Sequence, residues 1–349
     1  MRTVSVGVVG FGLGGRVFHA PIISAVPGFR LAAIVERSGD TARAAYPGVQ
    51  VVRSVEELLA IDSIELVAVT TPNITHLELA RKCLEAGRHV VVDKPFAPTS
   101  GEAAEIVRVA QKAGRLLTVY QNRRWDGDFL TLRGVINKGS LGRIAMLESH
   151  MERWRPVVKS ETWRELPAPG SGLWFDLGPH LLDQAFVLFG APEALNVELR
   201  ADRDGAVVDD GFDAVLHYPR LRVLLRSNLL TCTTGPRFRV FGTRGSFVKF
   251  GSDPQEDALK AGGRLDQPEW GREAAENWGT LSLGDGDKTT ESRVPTEKGD
   301  YSRFYQNVYD AIVGGAPLDV TPQHALNIMK ALEVGIESSR KRCTLPFAA

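Results

Sequence analysis

The sequence predicts an α/β protein in two parts. Residues 1–122 read as a doubly wound parallel sheet, and residues 123–349 as an α+β domain with a mostly antiparallel sheet. Three observations predict it. Short, near-continuous apolar runs alternate with helical patterns through the first third, as strands buried on both faces require. A glycine-rich turn follows the first of those runs directly. Beyond residue 122 the rhythm changes to strand pairs joined by tight turns.

The elements follow in order. "VSVGVVG" (4–10), "RLAAIVE" (30–36), "IELVAVTTP" (64–72), "HVVVDKP" (89–95) and "RLLTVYQN" (115–122) are the predicted parallel strands. Between the last three lie helical patterns, "ITHLELARKCLEAG" and "TSGEAAEIVRVAQKAG". The second opens on Thr99 or Ser100 as N-cap and closes on Gly114 as C-cap. In the second part "IAMLESHMERW", "ALNVELRAD", "FDAVLHYPRLRVLLRSNLL" and "FRVFGTRGSFVKFG" predict antiparallel strands, with turns at Pro219–Arg220 and Thr243–Gly245. Residues 252–300, rich in Gly, Pro and charge, read as a long surface excursion, and the tail from Asp300 to Arg342 reads as helical.

Bulk properties narrow the function. At 349 residues the chain exceeds one ordinary core, which makes two domains the default. Lys plus Arg and Asp plus Glu both number 42, so the balance favours neither nucleic acid nor an anionic membrane as partner. No apolar run approaches the ~20 residues of a membrane helix, and no signal-peptide pattern opens the chain. Cys83, Cys232 and Cys343 are widely spaced with no CxxC, as expected of reduced thiols in a cytoplasmic protein.

"GVVGFGLGGRVF" places Gly10-x-Gly12-x-x-Gly15 after the first strand and at the opening of a helix. The first glycine allows the turn, the second lets the backbone approach a pyrophosphate, and the third lets helix meet sheet; Phe11 lies within the loop. Glu36 ends the second strand 21 residues after Gly15, where a carboxylate bonds the adenosine ribose. That carboxylate repels the 2′-phosphate of NADP, so NAD is the favoured cofactor, with NADP open because Arg37 follows. Thr71, Pro72 and Asn73, with Thr70, end another strand at the ligand-binding edge. His76 either lies along the cofactor or caps the next helix.

Two stretches carry the chemistry. In "VVVDKPFAP" a buried strand stops at Asp93 and Lys94 in front of Pro95. In "WFDLGPHLLDQAF" Asp176, His180 and Asp183 fall at i, i+4 and i+7, one face of a helix. Oxidising an alcohol at a nicotinamide needs a base for the hydroxyl proton, suited to His, and a cation for the developing alkoxide, suited to Lys. A solvated helix face is the plain alternative. No metal is expected, because the His–Asp pair lacks further ligands nearby.

With these motifs the chain resembles the glucose–fructose oxidoreductase, inositol dehydrogenase and MocA family. The likeness runs nearly end to end and includes the glycine motif, "TTPNITH", "DKP" and "DLGPHLLD". "GFGLGGRVFHAP", "NRRWDGDFL" and "QEDALKAG" are more specifically similar to its scyllo-inositol dehydrogenase branch. Asp93 stands where the family usually has Glu, one methylene shorter. The resemblance implies a Rossmann domain followed by a domain with a large open sheet, with the active site between them and a cis peptide before Pro95. It implies Lys94, Asp176 and His180 as the catalytic set. His180 is then the general base, Asp176 its orienting or relaying partner, and Lys94 the group that polarises the substrate oxygen. It also implies a homodimer or homotetramer. Asn122, Arg124 and Trp125, with Arg153 and Trp163, are the expected substrate contacts, their donors and flat rings suiting a polyol; an interdomain salt-bridge cluster is the alternative. The expected function is an NAD(P)-dependent dehydrogenase for a cyclic polyol or sugar, scyllo-inositol favoured. A non-catalytic nucleotide-binding regulator remains the alternative, and a methyltransferase fits poorly because it has no role for Lys94 with the Asp176/His180 helix.

Overall fold

The computed structural model describes residues 2–159, 162, 165–233 and 235–349. Contacts divide the chain into two compact units. One comprises residues 1–122 with 255–270 and 300–329; the other comprises 123–254, 271–299 and 330–349. The expected division at 122/123 therefore lacks two later segments that return to the first unit.

In the first unit the strands β1 (Val4–Val9), β2 (Phe29–Val35), β3 (Gln50–Val52), β4 (Ile64–Val69), β5 (His89–Val92) and β6 (Leu117–Val119) form a parallel sheet in the order β3-β2-β1-β4-β5-β6. The order reverses at β1, and ligands bind open α/β sheets at such a switch, beside the strands' carboxyl ends. β1 is buried throughout, which is why it reads as an unbroken apolar run. The helix Ser100–Ala113 is capped by Thr99, whose side chain accepts from the Glu102 N–H, and it ends on left-handed Gly114 (φ 60°). β3 is a strand the sequence did not announce, because its three residues carry no period.

The returning segments belong here for a packing reason. The helix Ser302–Gly314 buries Phe304, Tyr305, Val308 and Tyr309. Tyr305 and Tyr309 meet Phe29 edge-on at 6.0 and 5.5 Å between centroids, and Phe304 meets Tyr120 at 4.9 Å. A Cβ on Gly28 (φ 93°) would lie 2.5 Å from the Tyr309 ring, so only glycine fits. Buried Gln255 ties the other segment in, its Oε1 accepting from Tyr301 N at 2.8 Å and Trp270 Nε1 at 3.3 Å.

In the second unit the strands β7 (Ile144–His150), β8 (Ala194–Arg200), β9 (Gly211–Tyr218), β10 (Leu221–Asn228), β11 (Phe238–Gly242), β12 (Gly245–Lys249), β13 (Gly279–Asp285), β14 (Lys288–Val294) and β15 (Leu345–Pro346) form the other sheet. Its order is β14-β13-β12-β11-β7-β10-β9-β8-β15, antiparallel except where β7 and β10 run parallel. The turns at Pro219–Arg220 and at Thr243–Arg244 fall as the sequence predicts. One face buries Leu147, Phe212, Leu216, Val223 and Phe247. The other leaves Met146, Val215, Leu224, Phe241 and Val248 part-exposed. Residues 252–300 are no loose excursion: they hold a helix at Gln255–Lys260 and the hairpin β13–β14 that extends the sheet. That region is tied down by Lys249, fully buried, whose Nζ lies 2.8 Å from Glu273. Among the described residues no helix is long and apolar enough to cross a membrane.

Candidate active site

The first unit presents a nucleotide-binding edge. Gly10 has φ 100°, closed to other side chains, and a Cβ on Gly15 would lie 2.1 Å from the Gly10 carbonyl oxygen. A Cβ on Gly12 would meet nothing within 4 Å, so the loop offers an open approach at the residue where a pyrophosphate comes closest. The turn that follows, Gly14–His19, is π-helical, a form that recurs at functional sites. These glycines fit a dinucleotide. The Phe11 side chain belongs to the interior, edge-on to Tyr46 at 6.2 Å, so only its main chain is placed to serve the loop.

Glu36 departs from its expected role. Its carboxylate accepts hydrogen bonds from the Thr41 hydroxyl, from Thr41 N at 3.2 Å and from Ala42 N at 3.1 Å, capping the helix Thr41–Ala45. Burial alone would raise its pKa, but those donors and Arg53 hold it below the ordinary value. Arg53 also clasps the loop, donating to the carbonyls of Glu36 and Gly39 at 2.9 and 2.6 Å. A carboxylate turned inward to cap a helix does not present its charge to a ribose, so the premise that favoured NAD fails. Arg37 and Ser38 beside it are exposed.

At the end of β4, Pro72 is exposed, Asn73 is buried, and Thr71 pairs with Thr75 through their hydroxyls at 2.6 Å. His76 opens the helix His76–Glu85 with its ring turned inward. It is 1% exposed, with Nε2 at 2.9 Å from the Thr71 carbonyl and Nδ1 at 3.1 and 3.2 Å from those of Pro95 and Phe96. A neutral imidazole carries one N–H, so the ring donates on one side only, to the Thr71 carbonyl or to the turn after Lys94. Burial lowers its pKa against the pull of those carbonyls.

Lys94, half-buried, follows β5 at the same edge, and the Lys94–Pro95 bond is cis, as the resemblance implied. Asp93 Oδ1 accepts from the Lys94 N–H at 2.8 Å, and its Oδ2 lies against the glycine loop, 2.8 Å from where a Cβ on Gly14 would be. Burial pushes the Asp93 pKa up, but His19, Lys94 and His76 outweigh it and hold the carboxyl below its ordinary value. Sequence reasoning missed His19, although "RVFHAP" was on view; nothing in its spacing signals a contact with residue 93.

The second unit carries the proposed proton-transfer helix, Gly172–Phe189. Asp209 caps its start from a distant loop, with Trp174 N donating to Oδ2 at 2.6 Å. Gly172 (φ 86°) is required because a Cβ would lie 2.1 Å from Asp209 Oδ1. Trp174 locks the helix down, its ring 4.8 Å from Phe212 and its Nε1 donating to the Leu332 carbonyl at 3.0 Å. Asp176 is part-exposed and His180 is 5% exposed, on one face of this helix. Asp183, the third of that face, is structural: Arg124 donates to it twice, from Nε at 2.8 Å and Nη2 at 2.7 Å.

That pair involves one of the expected substrate contacts. Arg124 is 7% exposed, and a buried guanidinium needs a carboxylate partner, which Asp183 supplies. Trp125 is 4% exposed and belongs to the core, and Asn122, in the first unit, is 7% exposed. Arg123 pairs with Asp126 at 3.2 Å, and its carbonyl accepts from Gln184 Nε2 at 2.9 Å, so "NRRWD" is largely internal support. Arg153 is part-exposed and donates its backbone N–H to the Asn228 carbonyl at 3.0 Å. Trp163 lies outside the described residues.

A glycine-loop dinucleotide domain joined to a second unit built on a mixed, mostly antiparallel sheet defines an NAD(P)-binding oxidoreductase. Residues 4–121 match the NAD-binding Rossmann fold of the Gfo/Idh/MocA oxidoreductase family, and residues 133–347 match that family's C-terminal α/β domain. The chain belongs to this family. It is 44% identical to the oxidoreductase YdgJ of Escherichia coli, covering 99% of both chains. It is 37% identical to the scyllo-inositol 2-dehydrogenase (NADP(+)) IolW of Bacillus subtilis, covering 98% of this chain and 96% of that one. Among solved structures, the oxidoreductase yvaA of Bacillus subtilis superposes with a TM-score of 0.96 at 36% identity, covering 99% of each chain.

Proposed function

We propose that the protein is an NADP-dependent dehydrogenase of a cyclic polyol or sugar, with scyllo-inositol the favoured substrate. The observation that carries the cofactor choice is the inward turn of Glu36, which leaves Arg37 and Ser38 among the exposed groups after β2. An arginine there accommodates the 2′-phosphate. The NADP-dependent IolW supports both the cofactor and the substrate reading. NADP, when bound, supplies the hydride acceptor. In this reading Lys94 polarises the substrate oxygen, His180 takes the hydroxyl proton, and Asp176 orients His180. The alcohol loses a hydride and a proton and becomes a ketone. The part-exposed apolar face of the second sheet suits contact with another copy of the chain, so we read the protein as a homo-oligomer. Its three free cysteines fit the reducing cytoplasm.

The test is a panel of inositol isomers and common aldoses, each with NAD and NADP, followed by the absorbance of the reduced cofactor. NADP-linked oxidation of an inositol is expected. Arg37→Ala should raise the KM for NADP by ~10-fold or more and leave that for NAD nearly unchanged, since one charge-assisted contact contributes about 1.5–3 kcal/mol. Faster turnover with NAD in the wild-type protein would overturn the cofactor assignment.

A further inference from the structure

Beneath Lys94 lies a run of buried polar side chains in the first unit that the reaction above does not use. His19 and Tyr305 are both 0% exposed. His19 Nδ1 is 2.7 Å from the Tyr305 hydroxyl, and its Nε2 faces Asp93 Oδ1 at 3.7 Å. The ring is gripped by Tyr120, whose centroid lies 4.2 Å away and whose own hydroxyl donates to the Phe18 carbonyl at 3.0 Å. Asp93 Oδ1 also accepts the Lys94 N–H at 2.8 Å.

The protons in this run can be assigned from chemistry. Burial, with the charge of Asp93, pushes the Tyr305 phenol well above its ordinary pKa, so Tyr305 keeps its proton and can donate it. Accepted at Nδ1, that bond leaves the imidazole N–H on Nε2, facing the carboxylate. The opposite tautomer would turn a lone pair on an anion inside a buried site, which costs free energy. At 3.7 Å the Nε2–Asp93 contact is longer than a hydrogen bond but within the range of a directed electrostatic contact. Asp93 is short, and its carboxylate folds back onto the next residue's N–H; His19 is the group set to hold it there.

We propose that His19, its tautomer fixed by Tyr305, is a positioning residue for Lys94, acting through Asp93. The inference rests on the role given to Lys94 above. It assigns a task to the helix Ser302–Gly314 beyond packing: a residue more than two hundred positions away sets the strand-end lysine.

The experiment compares His19→Leu, His19→Gln, Tyr305→Phe and Asp93→Asn in the full-length protein. Gln can present an N–H where Nε2 stands, and Leu cannot. His19→Leu should lower kcat by ~10–100-fold, the cost of a displaced reacting group, while reduced-cofactor binding measured by fluorescence holds. His19→Gln should recover most of the loss. Tyr305→Phe should lose less than His19→Leu in the same direction, and it carries the test if His19→Leu does not fold. His19→Leu added to Asp93→Asn should cost little more than Asp93→Asn alone, because both act through one carboxylate. A second readout needs no turnover: acylation of Lys94 followed by mass spectrometry should be faster in His19→Leu and unchanged in His19→Gln. If the wild-type protein oxidises no polyol or sugar, the functional reading fails and the labelling still decides the relay. Equal behaviour of the Leu and Gln variants, or additive losses with Asp93→Asn, overturns the proposal.

Discussion

Glu36 and Asp209 each cap a helix, yet their titrations run in opposite directions. Glu36 has enough donors that its folded pKa lies below the ordinary value, so it stabilises the protein above the usual carboxylate range and that contribution is lost as pH falls. Asp209 is pushed up from 3.8 to about 6, first by burial and then by neighbouring Asp210, while the Trp174 N–H pulls the other way. A raised carboxyl pKa contributes stability that is complete below 3.8 and gone as pH rises through about 6. Asp209→Asn keeps an acceptor for Trp174 N and removes the buried charge. It should therefore raise Tm relative to the wild-type protein at pH 8, by about 1–3 kcal/mol equivalent, and leave it unchanged near pH 4. Equal effects at both pH values would show that charge is not what burial penalises there. His180→Ala should lower kcat by ~10²–10⁴-fold with cofactor binding intact, as loss of a general base does; undiminished turnover would remove His180 from the chemistry. At this scale the sequence shows which residues stand at strand ends but not where their side chains turn. Glu36 was legible as a carboxylate after β2. Its inward rotation depends on Thr41 and Ala42, whose helix is five residues long and carries no period of its own.

Among elements, the helix Gly172–Phe189 carries a polar stripe on one face. Asp176, His180 and Asp183 share a face, and Asp183 holds the buried Arg124 guanidinium. Asp183→Leu should destabilise the protein by about 3–5 kcal/mol, because it leaves Arg124 buried without its carboxylate; denaturant titration reads this, and a loss under 1 kcal/mol would mean that water reaches Arg124. The parallel strands were legible because burial on both faces makes them apolar end to end. β13 and β14 were not, for the opposite reason. β14 is exposed along nearly its whole length, so "KTTESRV" shows no alternation, and the run reads as loop.

For the whole molecule, the decisive feature is that the first unit is discontinuous in sequence. The junction at Asn122 was legible from the change in rhythm, whereas the return of residues 255–270 and 300–329 was not. The helix Ser302–Gly314 has an ordinary amphipathic pattern, and nothing in it says which surface its tyrosines will cover. A fragment ending at Asn122 should leave Phe29, His19 and Tyr120 without Tyr305, Tyr309 and Phe304. It should melt without a cooperative transition, whereas the full chain should show one. A sharp calorimetric transition in that fragment would show that the aromatic seal is dispensable.

The same discontinuity sets a timetable during synthesis. A nascent chain normally folds its leading domain first, while the ribosome adds about 5–20 residues per second. Here the leading sheet can emerge complete and still wait, for roughly 10–40 s at that speed, until the tyrosine-bearing segment leaves the exit tunnel. Through that interval its aromatic flank is bare to solvent, which makes the half-made polypeptide, rather than the finished enzyme, the species most in need of a chaperone.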